Sequence, residues 1–401
     1  MPPDRWLILA DDLTGAADTA IAFARRGWRA SVEWGTQAPG DEVLALDAET
    51  RSEADPAAAA AQHVSLIRAY RRGRTRFFKK IDSTLRGHPA AELEASLRAL
   101  GPGTVALVAP AFPTQGRTTL DGRVQLHGLP LEASPLWARE HSYARADLRE
   151  IFGRDGQAVR HACLDALHDG HLPGLIQAAL AEGRGTVVCD ALEERDLSLI
   201  AHAALPFAER LLWVGSAGLA HAIAGVTPRR GDPPAPPAVA GGILIVVGSM
   251  AEASQAGATR LAEEGDLRTA LVSTAMLRGG PDAWKATRSS VQETLSRGQD
   301  VMVTIAGQDG IDPTLVRDFG ALLLDARLGG LIATGGGTAR ALLEGQGATS
   351  LTMVDEVEPG VPLGLAGHLP VITKAGAFGD AGTLGRCLAY LRRLRATETS
   401  A

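Results

Sequence analysis

The stretch "WLILADDLTGAADTA", residues 6–20, sets the reading of this chain. An apolar run, Trp6 to Ala10, meets two adjacent aspartates, then a Thr-Gly pair and an alanine-rich segment. A short apolar run closed by turn residues and followed by helix formers reads as a buried strand entering a helix. One of Asp11 and Asp12 is then the N-cap of a helix starting near Thr14. The other carboxylate stands at a strand end with no structural duty of its own.

The same alternation repeats along the chain. Strands are expected at "EVLALD", "TRFFKK", "TVALVAP", "TVVCDA" and "LLWVG", with helices at 55–72 and 89–100 among them. After residue 242 come "GILIVVG", "TALVST", "DVMVTIA", "GGLIAT" and "LPVITKAG", separated by helices near 253–264, 282–297, 313–327 and 380–395. Continuous apolar strands between amphipathic helices imply sheets covered on both faces, hence mainly parallel ones. Between the two series lies "GVTPRRGDPPAPPAVAGG", residues 225–242, with five prolines and no helical or strand period. It reads as a stiff, extended linker. The expected organisation is two α/β domains, 1–226 and 242–401, joined by a Pro-rich linker at 227–241.

Composition narrows the function. The chain has 401 residues, 45% hydrophobic and 21% charged, with a net charge of −6. That balance disfavours a general nucleic-acid binder, and 4% aromatics leave little for base stacking. Cys163, Cys189 and Cys387 are odd in number and far apart, in no metal-ligand spacing, and read as thiols in a reducing compartment. The N-terminal apolar run is too short for a signal peptide, and no stretch nears the ~18 apolar residues of a membrane span. The expected location is cytoplasmic, with no membrane partner. A homo-oligomer is left open.

In open parallel sheets, ligands bind beyond the carboxyl ends of the strands. In the first half those ends deliver Asp11 and Asp12; Asp47, Glu49 and Arg51; Lys79, Lys80, Asp82, Ser83 and Arg86; and Gln115, Arg117, Thr118 and Asp121. Carboxylates, cations and hydroxyls together suit a small anionic, polyhydroxylated ligand. Lys79 and Lys80 alternate in direction, so at most one faces the site. Blander readings exist for each: Ser83 as a turn cap, Arg117 with Asp121 as a surface pair, His88 as a turn residue.

The second half carries glycine turns: "VVGSMAEASQ", "IATGGGTARALLE" and "VITKAGAFGD". Glycine lets backbone amides approach phosphate oxygens, and a helix N-terminus adds partial positive charge. Three such turns in one domain point to a nucleotide triphosphate. No "GK" dipeptide occurs, so there is no Walker A loop. A dinucleotide fingerprint is half present in Gly335, Gly337 and Asp355, but Arg340 stands where the third glycine belongs. A nicotinamide-dependent oxidoreductase and a non-catalytic sugar-acid sensor are the rival readings.

On "ADDLTGAADTA", "KKIDSTLRGH", "PAFPTQGRTTLDG", "VVGSMAEASQ", "TGGGTAR", "EPGVPLG" and "TKAGAFGD", in that order, the chain resembles the four-carbon acid sugar kinase family over nearly its full length. The resemblance implies ATP-dependent phosphorylation of the terminal hydroxyl of threonate, erythronate or 3-oxo-tetronate. It implies an N-terminal domain that holds the acid and a C-terminal domain that holds the nucleotide. It implicates Asp12, Arg51, Lys80, Asp82 and Ser83 in substrate binding, with Arg86 on the same segment. It places ATP at Ser249, at Gly335, Gly336, Gly337 and Thr338, and at Gly376 with Gly379 in its loop. "KKIDSTLRG" looks more like the threonate/erythronate branch. The chain departs from the family at Gly337, where an acidic residue is common, and at His88, where asparagine is common. Arg51 and Lys80 are expected to neutralise the acid, Arg51 bidentately, and Asp12 or Asp82 to accept the hydroxyl proton. Mg²⁺ is expected with ATP, its protein ligands unassigned.

Overall fold

The structure is a computed structural model. It describes residues 5–35, 41–140, 143–153, 158–306, 313–322 and 328–396. The chain divides into two compact units, 1–232 and 233–401.

Among the described residues, the first unit is built on eight parallel strands. In chain order they are β1 (Arg5–Ala10), β2 (Ala30–Glu33), β3 (Val43–Asp47), β4 (Thr75–Lys80), β5 (Val105–Ala109), β9 (Val159–Ala162), β10 (Thr186–Cys189) and β11 (Leu211–Gly215). Their spatial order is β2-β3-β1-β4-β11-β5-β10-β9. Every neighbouring pair is parallel. β6 (Arg117–Leu120), β7 (Arg123–Leu126) and β8 (Leu129–Pro130) form a small antiparallel sheet. In sequence β6 reads as the polar tail of β5; this excursion, with β2 and β9, is not among the expected strands.

Alternation along β1 divides the core. Leu7 and Leu9 face one layer, with Ile67 of helix α2 (Pro56–Tyr70) and Leu93 of helix α3 (Pro89–Leu100). Trp6 lies on the other side, its ring 5.2 Å from Phe23 of helix α1 (Leu13–Ala24) and 6.4 Å from Trp213. All twelve residues of α1 are buried. Its run of Ala, Gly and Thr is what lets a helix enclosed on every side pack without voids.

Among the described residues, the second unit has seven strands: β12 (Gly242–Val247), β13 (Arg268–Ser273), β14 (Val301–Ala306), β15 (Leu328–Thr334), β16 (Ser350–Glu358), β17 (Val361–Ala366) and β18 (Leu369–Lys374). Their order is β13-β14-β12-β15-β18-β17-β16. The first five run parallel; β17 runs antiparallel to β18, and β16 antiparallel to β17. β16 alternates polar and apolar residues, and the apolar run of β17 is broken by Pro362 and Gly364, so neither stands out as a continuous buried strand. The parallel strands enclose a core of Ile243, Ile245, Val247, Ile332, Ile372 and Leu384 with its neighbours.

Candidate active site

β1 lies between β3 and β4, although β3 precedes β4 in the chain and their connection passes over β1. The strand order therefore reverses at β1, and the crevice at its carboxyl end is where such folds bind ligands. Segments 11–15 after β1, 47–51 after β3 and 80–86 after β4 reach it, and Arg117 lies close enough to Asp82 and Arg86 to feel their charges.

Asp12, not Asp11, caps α1. Its backbone is extended (φ −148°) and its Oδ1 accepts from the Gly15 amide at 2.8 Å. Thr14 Oγ1 donates to Asp12 Oδ2 at 2.9 Å. Asp11 is buried and takes the fork of Arg51: Nε and Nη2 each donate to it at 2.8 Å. Arg51 Nη1 donates to Asp12 Oδ2, and Nη2 lies 3.8 Å from Asp82 Oδ1. Arg86 grips Asp82 with two bonds of 2.9 Å, and the Thr84 hydroxyl and amide bind the same carboxylate. The bidentate face of Arg51 thus belongs to Asp11, and that of Arg86 to Asp82.

Lys80 and Ser83 differ. Both are buried, and neither side chain makes a hydrogen bond among the described residues. A Cβ built on Gly15 would lie 2.8 Å from Asp12 Oδ1 and 2.9 Å from Lys80 Nζ, so the missing side chain at Gly15 admits both groups to one spot. Lys79 points away from them, its ammonium 2.8 Å from Glu92 Oε2.

The electrostatics follow from this pairing. Burial pushes the Asp11 carboxyl up, but Arg51's charge and hydrogen bonds, with Lys79 and Lys80, outweigh it and bring Asp11 down to about 2. Asp82 is likewise opposed by burial and held well below the carboxylate range by Arg86 and Arg51. Arg51 is raised, since Asp11, Asp12 and Asp82 more than offset its desolvation. Asp82 is therefore a poor proton acceptor. Asp12 is the more open carboxylate, its side chain 15% exposed against 8% for Asp82.

In the second unit the three glycine turns come together. Ser249, after β12, donates its amide to Thr334 Oγ1 at 3.3 Å, and Gln255 Nε2 donates to the Ser249 carbonyl at 2.7 Å. A Cβ on Gly376 would run into Ser249 Oγ, and one on Gly248 into Thr338 Oγ1. Gly335 has φ +91° and is the N-cap of the helix Gly336–Gly345, with no side chain capping it. The first amides of that helix thus have no side-chain cap, the arrangement a phosphate-binding helix start needs. A Cβ on Gly337 would meet only open space. Gly379, at φ +74°, turns the chain into the helix Thr383–Ala396.

Lys374 is the residue the sequence reading passed over here. It is fully buried at the end of β18. Its ammonium donates to Ser254 Oγ and to the carbonyls of Ala375 and Gly376 at 3.1–3.2 Å, lacing the last glycine turn to the helix Glu252–Glu263. Burial brings it down to about 8, against the raising influence of Cys387 and Glu358. A lysine closing an apolar strand just before a glycine loop was the available signal. Asp355, in contrast, leaves the dinucleotide reading. It lies on β16, separated from β15 by β17 and β18, and holds the Tyr390 hydroxyl.

The chain matches two family models: a sugar-binding N-terminal domain over residues 6–223 and a nucleotide-binding C-terminal domain over residues 244–384. It is 40% identical to a D-threonate kinase of Cupriavidus necator, covering 94% of this chain and 96% of that one. It is 34% identical to a D-threonate kinase of Bordetella bronchiseptica, covering 98% of each. A solved structure from Salmonella typhimurium LT2 shares the fold at a TM-score of 0.80 and 21% identity, covering 96% of this chain and 98% of that one. No helix among the described residues is long and apolar enough to cross a membrane. With a sugar-binding and a nucleotide-binding domain in sequence and named kinases as full-length relatives, the chain belongs to the four-carbon acid sugar kinase family, enzymes that use ATP on small sugar acids.

Proposed function

We propose that the protein transfers the γ-phosphoryl group of ATP to the 4-hydroxyl of D-threonate. The relatives named above support the substrate, and one observation carries the site. In a cluster whose arginines are bound to aspartates, Lys80 is a buried cation with no hydrogen-bond partner among the described residues, beside a free hydroxyl on Ser83. An ammonium on a buried stem that makes no protein hydrogen bond keeps its donors open, and an incoming carboxylate satisfies them. Lys80 therefore receives the acid's carboxylate, with Arg51 flanking it, and Ser83 reads a hydroxyl.

Asp12 orients the attacking hydroxyl. Of the two candidate carboxylates it is the more open and the less heavily bound, so it is the one suited to take the proton. The O4–phosphorus bond forms as the bond from the γ-phosphorus to the β-bridging oxygen breaks. The hydroxyl proton passes to Asp12, and ADP leaves. The transition state is met by positioning and charge rather than covalent chemistry. ATP lies on the turns at Ser249, Gly335–Thr338 and Gly376–Gly379, its phosphates on backbone amides. Mg²⁺ would supply charge neutralisation at the phosphates and would arrive with the nucleotide. The nearby carboxylate Glu358 is taken by Thr383 and Arg386, which fits a metal carried by the nucleotide rather than by a protein cage.

The test is a kinase assay over D- and L-threonate, D- and L-erythronate and their 3-oxo forms, with the phosphorylated position mapped. The proposal requires D-threonate to give the highest kcat/KM and the phosphate to sit on the C4 oxygen. A higher kcat/KM on D-erythronate or a 3-oxo acid reassigns the substrate.

A further inference from the structure

Behind the site lies a second set of buried charges that the proposed chemistry never touches. Lys79 is fully buried; its ammonium lies 2.8 Å from Glu92 Oε2 and donates to the Lys80 carbonyl at 2.7 Å. Glu92, in the first turn of α3, is 1% exposed. Its Oε1 accepts from Thr50 Oγ1 at 2.6 Å. His63, also buried, brings Nε2 to 3.8 Å from Glu92 Oε2 while Nδ1 lies 3.1 Å from the Ala59 carbonyl. Thr50 is the residue before Arg51, and the amides of both donate to the Asp11 carbonyl, at 3.0 and 3.1 Å.

A buried ion pair is no better for stability than a well-packed apolar pair of the same volume. Its retention here asks for another role, and the hydrogen bond from Thr50 supplies one. We infer that Glu92, held in place by Lys79, is a positioning residue. Through Thr50 it fixes the loop after β3, so that the Arg51 guanidinium lies across Asp11, Asp12 and Asp82 before the acid arrives. One carboxylate that never meets the substrate thus ties α3 to the loop after β3 through Thr50 and to the end of β4 through Lys79, and the amides of Thr50 and Arg51 carry that tie on to the Asp11 carbonyl. The inference rests on reading this cluster as the acid site.

The test is Thr50→Val, which removes the hydroxyl bond, keeps the branched volume and leaves the Lys79–Glu92 pair intact. Kinetics are measured with acid and ATP varied separately. The acid KM should rise at least fivefold while the ATP KM stays within twofold, and Thr50→Ser should restore the wild-type acid KM. Equal KM values with a lowered melting temperature, or equal rises in both KM values, overturn the inference. If the wild type prefers another acid of the panel, the substrate assignment fails and the same comparison is made with that acid. A crystal structure of Thr50→Val decides independently of any substrate: Arg51 should leave its bidentate seat on Asp11. Arg51 unmoved overturns the inference even if no acid is phosphorylated.

Discussion

At the scale of single residues, the proposed acid site is a charge cluster in which each partner's protonation depends on the others. Asp11 shows the consequence for stability. Its folded value near 2 lies below the ordinary carboxylate value of about 4, so the unfolded chain binds the proton more readily. The stabilisation is complete above about pH 4 and is lost as pH falls toward 2. It amounts to about 2 kcal/mol on 1.4 kcal/mol per pH unit. Urea unfolding at pH 7, 4 and 2.5 should show this acid limb, and Asp11→Asn should flatten its share. Asp12 is separable from Asp11 by the same means. Asparagine caps a helix as well as aspartate does, so Asp12→Asn should melt within a few degrees of wild type. Its kcat should fall by about 100-fold or more, the usual size of a lost general base. A kcat within tenfold of wild type excludes Asp12 as the proton acceptor.

At the scale of elements, the strand-to-helix turns set the geometry. α1 enters directly from β1, and its first turn sits between Asp12 and Lys80 only because residue 15 has no side chain. Gly15→Ala makes the helix intrinsically better by about 1 kcal/mol. It also drives a methyl to 2.8 Å from Asp12 Oδ1 and 2.9 Å from Lys80 Nζ. The expected outcome is a melting temperature changed little and an activity lowered at least tenfold; unchanged kinetics would show that the space at Gly15 is not used. Much at this scale is legible in sequence. β1, β4 and α3 follow from apolar runs, turn residues and a Pro at the first helical position, all local signals. The hairpin β6–β7 is legible too, in the Asp121–Gly122 pair, both at positive φ as a two-residue hairpin turn requires. What is not local is its anchor, Asp190, whose carboxylate accepts both amides at 2.8 Å from 68 and 69 residues away in sequence.

At the scale of the whole molecule, two units carry two ligand classes. Hydrogen exchange should separate them. D-threonate should protect segments 11–15, 47–51 and 80–86, and a non-hydrolysable ATP analogue should protect 248–251, 335–338 and 375–379. Protection of the second group by the acid alone, or of the first by the nucleotide alone, would contradict the division of labour proposed here.

The chain's local grammar determined a great deal. Buried parallel strands, glycine turns after β12, β15 and β18, and the cations and carboxylates at strand ends are all written in runs of a few residues, because period and turn chemistry act over a few residues. What tertiary structure decided is who meets whom. Asp11 rather than Asp12 took the fork of Arg51, forty residues away. Lys79 found Glu92 while Lys80 makes no hydrogen bond among the described residues, and Lys374 became the lace of a glycine turn. Those choices depend on the order of strands in the sheets, and strand order is set by how distant segments pack, which no short stretch of sequence contains.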